Sequence, residues 1–356
     1  MTLDFTHRTL GQTVIFAPGR AAGAVAAEVE RLGASAVMVI VSGSAEDKVR
    51  DFESHFPVAL WHREVVMHVP SDVAERAIAT AREIDADLVV SVGGGSATGL
   101  AKVIALENRI PIVAVPTTFS GSEATNVWGR TENARKRTGV DDAVLPTSVV
   151  YDAELVLDLP ADLGVASGLN ALAHCIDSMW APNTDPINQA MALEGIRTLN
   201  RGLPALREDS DDLGGLELTL FGAYLAAVAF ASAGSGIHHK IAHVLGGTFN
   251  LPHAQTHATI LPYVLAFNAG SAPEAEKRMA EAFEADSALA GLQRLRAATV
   301  APQSLSTLGF SENDIPQAVE LSLSAIPKNN PLTPTEDNLT MLLRAALEGL
   351  DPMEMS

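Results

Sequence analysis

The first 150 residues alternate between short β-branched runs and helical stretches, and no other feature constrains the fold as strongly. "VIFAP" (14–18), "AVMVIVS" (36–42), "LVVSVGGGS" (88–96), "IPIVAVPTT" (110–118) and "SVVYD" (148–152) read as strands. Most are too apolar for a sheet with one wet face, so helices must cover both sides, as in a parallel sheet. "PSDVAERAIATAREIDA" (70–86) is such a helix, with a Ser-Asp start, early acids and apolar residues at helical spacing (Val73, Ala77, Ile78, Ala81, Ile84). Strand and helix in this order specify βαβ units. After residue 158 the alternation stops. Long Ala/Leu-rich segments follow, punctuated by Gly, Pro and Asp clusters around 182–186, 208–215 and 327–335. The expected organisation is an α/β nucleotide-binding domain over 1–158 and an all-helical domain over 159–356.

The formal net charge of −19 argues against nucleic acid or an anionic membrane as a partner, since both demand a basic face. An anionic substrate would need a local basic cluster. The single cysteine, Cys175, excludes an intrachain disulfide and suits a reducing cytoplasm; next to His174 but turned away from it, it reads as core packing. No basic-then-apolar signal opens the chain. The most apolar run, "LFGAYLAAVAFASAG" (220–234), is too short for a bilayer and reads as a buried core helix.

"VSVGGGSATGLAK" (90–102) is a strand that ends in Gly93, Gly94, Gly95 and Ser96, followed by a helix carrying Lys102. Glycine lets the backbone approach a phosphate, and the helix N-terminus offers free N–H groups. The spacing is not G-x-G-x-x-G, so this is no conventional dinucleotide fingerprint. "VPTTFSGSEAT" (115–125) ends the next strand with Thr117 and Thr118 and continues through Ser122, which sets hydroxyls at the same sheet edge. Where a carboxylate would hold a ribose 2′-hydroxyl, the chain has Ser42-Gly43, either plain turn chemistry or a site open to both NADH and NADPH.

"HHKIAHVLGGTFNLPHAQTH" (238–257) holds five of the ten histidines. His239 and His243 share one helical face, and His253 and His257 repeat the spacing after a Gly- and Pro-containing bend. Asn170 and His174 in "SGLNALAHCID" are also four apart. Metal ligation and proton handling both remain open on spacing alone. Lys240 is either a cation for a substrate or a solvated helix residue.

"GGGSATGLAK", "PTTFSGSEAT", "SGLNALAHCID" and "HHKIAHVLGGTFNLPH", in this order, resemble the iron-containing (group III) alcohol dehydrogenases, from about residue 10 to the C-terminus. That resemblance implies the fold shared with dehydroquinate synthase, an active site in the cleft between the two domains, and a homodimer. It carries the family's metal ligands to Asn170, His174, His239 and His253, its proton-relay histidine to His243, and a cofactor-approaching lysine to Lys136, although the "WGRTENARKRTG" excursion (128–139) reads equally as a charged hairpin tip. Two departures stand out: Asn170 replaces an aspartate ligand, and Gly99 replaces an aspartate of the glycine loop. Both, with the excursion, resemble the maleylacetate reductase branch, which implies NADH- or NADPH-dependent reduction of the carbon–carbon double bond of maleylacetate to 3-oxoadipate in the breakdown of aromatic rings. A neutral amide is a poor ligand for a hard divalent ion, and alkene reduction needs a hydride, a proton and donors for a developing enolate. The expectation is therefore that no metal is needed. His174, His239, His253 and His257 would bind and protonate the small dicarboxylate, with imidazolium and ammonium groups as donors. The alternatives are a metal-dependent alcohol dehydrogenase and, more distantly, a lyase resembling dehydroquinate synthase.

Overall fold

The computed structural model describes residues 4–43, 45–132, 135–208 and 212–355. The chain divides into two compact units, Leu10–Leu159, and Met1–Thr9 together with Pro160–Ser356.

The first unit contains β1 (Thr13–Phe16), α1 (Ala21–Leu32), β2 (Val37–Val41), β3 (Val58–His62), α2 (Ser71–Glu83), β4 (Leu88–Gly93), α3 (Gly95–Asn108) and β5 (Ile112–Pro116). An antiparallel hairpin, β6 (Val127–Glu132) and β7 (Arg135–Val140), precedes β8 (Ser148–Tyr151). Six strands form one parallel sheet in the order β1-β8-β5-β4-β2-β3. Val37, Val39, Val41, Val90 and Val92 face a core shared with α1, while Met38, Ile40 and Val89 face α2 and α3. Both faces are dry, so each of these side chains contributes roughly 1.5–3 kcal/mol by leaving water.

β3, "VALWH", escaped the sequence reading. It is an edge strand, largely half-buried, that joins β2 through a register shift at Val37/Met38, so it lacks the long apolar run of a central strand. The order reverses between β2 and β4. In open α/β sheets ligands bind at such a switch point, outside the carboxyl ends of the strands.

Among the described residues the second unit has helices and no strand: α4 (Ala161–Ser178), α5 (Pro186–Gly202), α6 (Ala205–Glu208), α7 (Leu213–Ala233), α8 (Ile237–Phe249), α9 (His253–Ala269), α10 (Pro273–Phe283), α11 (Ala288–Ala298), α12 (Ile315–Ala325) and α13 (Glu336–Glu348). Helices α8, α9, α12 and α13 share a core built around Ile241, Leu245, Ile260, Val319, Leu339 and Leu342. Residues up to Thr9 group with this unit: His7 Nδ1 lies 2.8 Å from Asp185 Oδ2, and Asp185 also caps α5. α7 is longer than the apolar run read from the sequence. At 21 residues it could cross a membrane by length and composition, but half of it is buried, packed against α4 and α5. Length therefore does not exclude a span, contrary to the reading of 220–234; burial is what marks α7 as a core helix.

Candidate active site

The glycine turn lies at the switch point. Gly93 has φ +149°, and a Cβ there would come 2.8 Å from Ala97 Cβ and 3.0 Å from Ser42 Oγ. At Gly94 a Cβ would lie 2.9 Å from Thr118 Cγ2, and at Gly95 it would lie 3.3 Å from Ser120 Oγ. Gly93 and Gly94 leave room where the backbone passes close to Ser42 and Thr118, and Gly95 sits tightly against Ser120. The structure thus gathers Ser42, Gly93–Gly95 and Thr118 and adds Ser120, which the sequence reading passed over. Ser96 lies in the first turn of α3, where backbone N–H groups have no helical partner. The Thr117 N–H donates to Gly93 O at 3.0 Å, and Ser122 opens a short 3-10 turn over Ser122–Ala124. The backbone of Lys136 pairs with Thr131 in the hairpin, and its side chain lies outside the described residues.

Lys102 is a correction. It is 1% exposed, and its ammonium donates to Thr125 O (2.7 Å), Thr125 Oγ1 (3.0 Å) and Val127 O (2.8 Å). All three of its donors are engaged inside the unit. Burial pulls its pKa down to about 7, with Glu123 acting against that. Lys102 therefore fastens α3 to the start of the hairpin and does not reach for a cofactor. A GGGS-x₅-K spacing could not reveal this, because it does not say which way the lysine turns.

The second unit brings the histidines together. α8 ends at Asn250, whose φ of 56° is a left-handed conformation that asparagine tolerates, and Pro252 then precedes α9. This bend sets the two His-x-x-x-His pairs face to face. His174 and His239 stack at 4.7 Å between ring centroids, with Phe230 at 4.6 and 4.3 Å from them. His257 lies 4.8 Å from His239 and 4.5 Å from His253, and His243 lies 6.1 Å from His239 and 6.2 Å from His253. Five predicted rings form one cluster. Lys240 is half-buried and stands about 100° around α8 from His239. Cys175 is fully buried and burial pushes its thiol pKa up, in keeping with packing.

Asp177 is the site residue that sequence reasoning missed, although it stands three residues after His174 in a quoted motif. It is fully buried and accepts from the N–H groups of Gly236 (2.9 Å), His238 and His239 (3.3 Å each) and from His239 Nδ1 (2.8 Å). A Cβ at Gly236 would lie 2.3 Å from Asp177 Oδ1, so glycine is required there. One carboxylate thus anchors α8 to α4 and turns His239, whose Nε2 is left without a proton to donate.

Asn170 Oδ1, His174 Nδ1, His239 Nε2 and His257 Nε2 are all buried without a hydrogen-bond partner. Buried polar atoms left unpaired in this way call for a partner, which a polar ligand can supply. Burial lowers the pKa of His174 to about 3 and holds those of His239 and His257 well below the ordinary value, with neighbouring imidazoles adding to the effect. The expectation of imidazolium donors is thereby corrected for these three: burial away from solvent disfavours the charged ring.

A glycine turn at a sheet switch point suits a dinucleotide, and the other unit gathers its histidines on helices. Residues 11–153 match the family model "Iron-containing alcohol dehydrogenase", and residues 164–347 match "Fe-containing alcohol dehydrogenase family, C-terminal". The chain belongs to the iron-containing alcohol dehydrogenase family of oxidoreductases. It is 41% identical to a maleylacetate reductase of Sphingobium indicum, over 99% of both chains. Its fold superimposes on an iron-containing alcohol dehydrogenase of Corynebacterium glutamicum with a TM-score of 0.98 at 58% identity, covering 100% of each chain. A maleylacetate reductase of Agrobacterium tumefaciens gives 0.94 at 37% identity, covering 99% of this chain and 100% of that one.

Among the described residues, no group of three or more His, Cys, Asp or Glu side chains is arranged to hold a metal ion.

Proposed function

We propose that this protein is a maleylacetate reductase, which adds a hydride and a proton across the carbon–carbon double bond of maleylacetate to give 3-oxoadipate. The observation that carries the reading is Asn170, an uncharged amide with a buried, unpartnered oxygen beside His174, where an alcohol dehydrogenase of this family needs a carboxylate on its metal. That donor set does not suit a resident divalent ion, because the amide removes the negative charge from beside it. The same amide can donate from its NH₂ to a substrate carboxylate or carbonyl. Bound NADH or NADPH supplies the hydride. The other tasks fall to side chains of this chain: His174, His239, His253 and His257 hold the substrate, Lys240 offers a cation to the dicarboxylate, and His243 delivers the proton. The same reading places the enzyme as a cytoplasmic homodimer in aromatic-compound catabolism, with no nucleic-acid or membrane partner. In this reading Lys136 contacts the cofactor.

The direct test is NADH consumption with maleylacetate, repeated after chelator treatment. The likeness to an iron-containing alcohol dehydrogenase at 58% identity supports a second reading, metal-dependent alcohol oxidation; activity on alcohols that vanishes with the chelator would select it.

With Ser42 at the end of β2 and no carboxylate there, a 2′-phosphate meets no repulsion. NADH and NADPH are expected to support turnover within roughly tenfold of each other, about 1.4 kcal/mol. Initial rates with each cofactor check this, and a preference beyond about a thousandfold rules it out.

A further inference from the structure

His238 is fully buried, lies outside the residues that the family resemblance carries over, and has no part in the chemistry above. Its Nε2 lies 2.9 Å from Nδ1 of His257, which is also fully buried. The outer nitrogens of the pair, His238 Nδ1 and His257 Nε2, have no partner. A neutral imidazole carries one N–H and one lone pair. A hydrogen bond between two such rings uses one of each, and so decides which nitrogen of His257 keeps its proton. If His238 donates, His257 presents N–H at Nε2; if His257 donates, it presents a lone pair there. The His257 ring sits 4.5 Å from His253 and 4.8 Å from His239, within the cluster read above as the substrate site. A substrate with two carboxylates and a growing enolate requires donors.

We propose that His238 is a positioning residue. It donates from Nε2 to Nδ1 of His257, holds that ring as the Nε2–H tautomer, and gives the substrate a fixed hydrogen-bond donor. The proposal rests on the reading of the cluster as a dicarboxylate site. Its backbone supports the role: the N–H of His238 donates to Asp177 at 3.3 Å, which ties the residue that carries the ring to α4. His239 is set from behind by Asp177 in the same way.

Two variants test this in the full-length enzyme. His238→Leu removes the hydrogen bond at similar volume, and His238→Gln restores an amide able to donate near the same point. The readouts are kcat and KM for maleylacetate, the NADH dissociation constant by fluorescence titration, and the thermal midpoint. His238→Leu is expected to lose roughly ten- to a hundredfold in kcat/KM, the range for a hydrogen bond acting on a charged group. NADH binding should stay within about twofold, and His238→Gln should recover to within about threefold. A folded His238→Leu with unchanged kcat/KM overturns the proposal, as does a His238→Gln that falls equally far. If His238→Leu does not fold, ¹⁵N-histidine NMR of the wild type decides: a proton on Nε2 of His257 is expected, and a proton on Nδ1 overturns the assignment. That spectrum needs no substrate. Should the wild type fail to reduce maleylacetate, the functional reading falls while the tautomer is still tested.

Discussion

His243→Ala is expected to lower turnover with maleylacetate on the order of 10²–10⁴-fold while NADH still binds. His243 stands one turn after His239 on α8 and, unlike His174, His239 and His257, it is exposed. A group that gives up a proton in every cycle has to recover it from solvent, and a ring fully enclosed by others cannot. The buried rings are also held uncharged by their surroundings, so they serve as fixed hydrogen-bonding groups and not as acids. Steady-state rates together with an NADH titration separate a lost proton from a lost cofactor. Unchanged turnover in the variant means that the proton comes from elsewhere, with a bound water next in line.

The second large effect concerns metal. Purified enzyme is expected to contain well under one equivalent of iron or zinc and to keep its activity after prolonged dialysis against chelator. Asn170→Asp should reverse both properties. A carboxylate beside His174 and His239 restores a charged ligand and raises metal affinity. The same charge, a few ångströms from a substrate carboxylate, costs about 1–4 kcal/mol between dielectrics of roughly 80 and 20. A fall in maleylacetate kcat/KM of about fivefold or more follows. Elemental analysis and kinetics of both forms check the pair. Stoichiometric metal whose removal abolishes activity, and whose return restores it, would overturn the metal-free reading and favour the alcohol dehydrogenase mechanism.

Much of this site was legible in the sequence because helical spacing is rigid. His239 with His243, His253 with His257, and Asn170 with His174 are each four residues apart, and a single bend at Asn250–Pro252 suffices to set them together. The central strands were legible because burial on both faces leaves an unbroken apolar run. What escaped depends on direction. Lys102 follows a phosphate-type turn, yet it points inward to Thr125 and Val127. Asp177 and His238 act from behind the rings that face the site, and no spacing rule tells the back of a histidine from its front. β3 escaped because an edge strand needs one dry neighbour and no more.

Enclosing so many imidazoles makes unfolding of the helical unit a proton-consuming reaction. Burial holds His174 and His238 at about 3 and His239 and His257 well below their ordinary value, so in the folded protein all four resist taking up a second ring proton as the pH falls. In the unfolded chain each titrates near 6.5, so below that pH the unfolded state binds more protons and stability rises with pH. Asp177 works in the opposite sense, since burial raises it from 3.8 to about 7 and lets the folded state keep one proton that the unfolded state has lost. Four histidines against one carboxyl group leave a net proton uptake on unfolding, so stability falls as the surroundings become acidic. A domain stable by only about 5–15 kcal/mol cannot long withstand such a fall. The buried rings that would suit the pocket to an anionic substrate thus confine the enzyme to near-neutral surroundings.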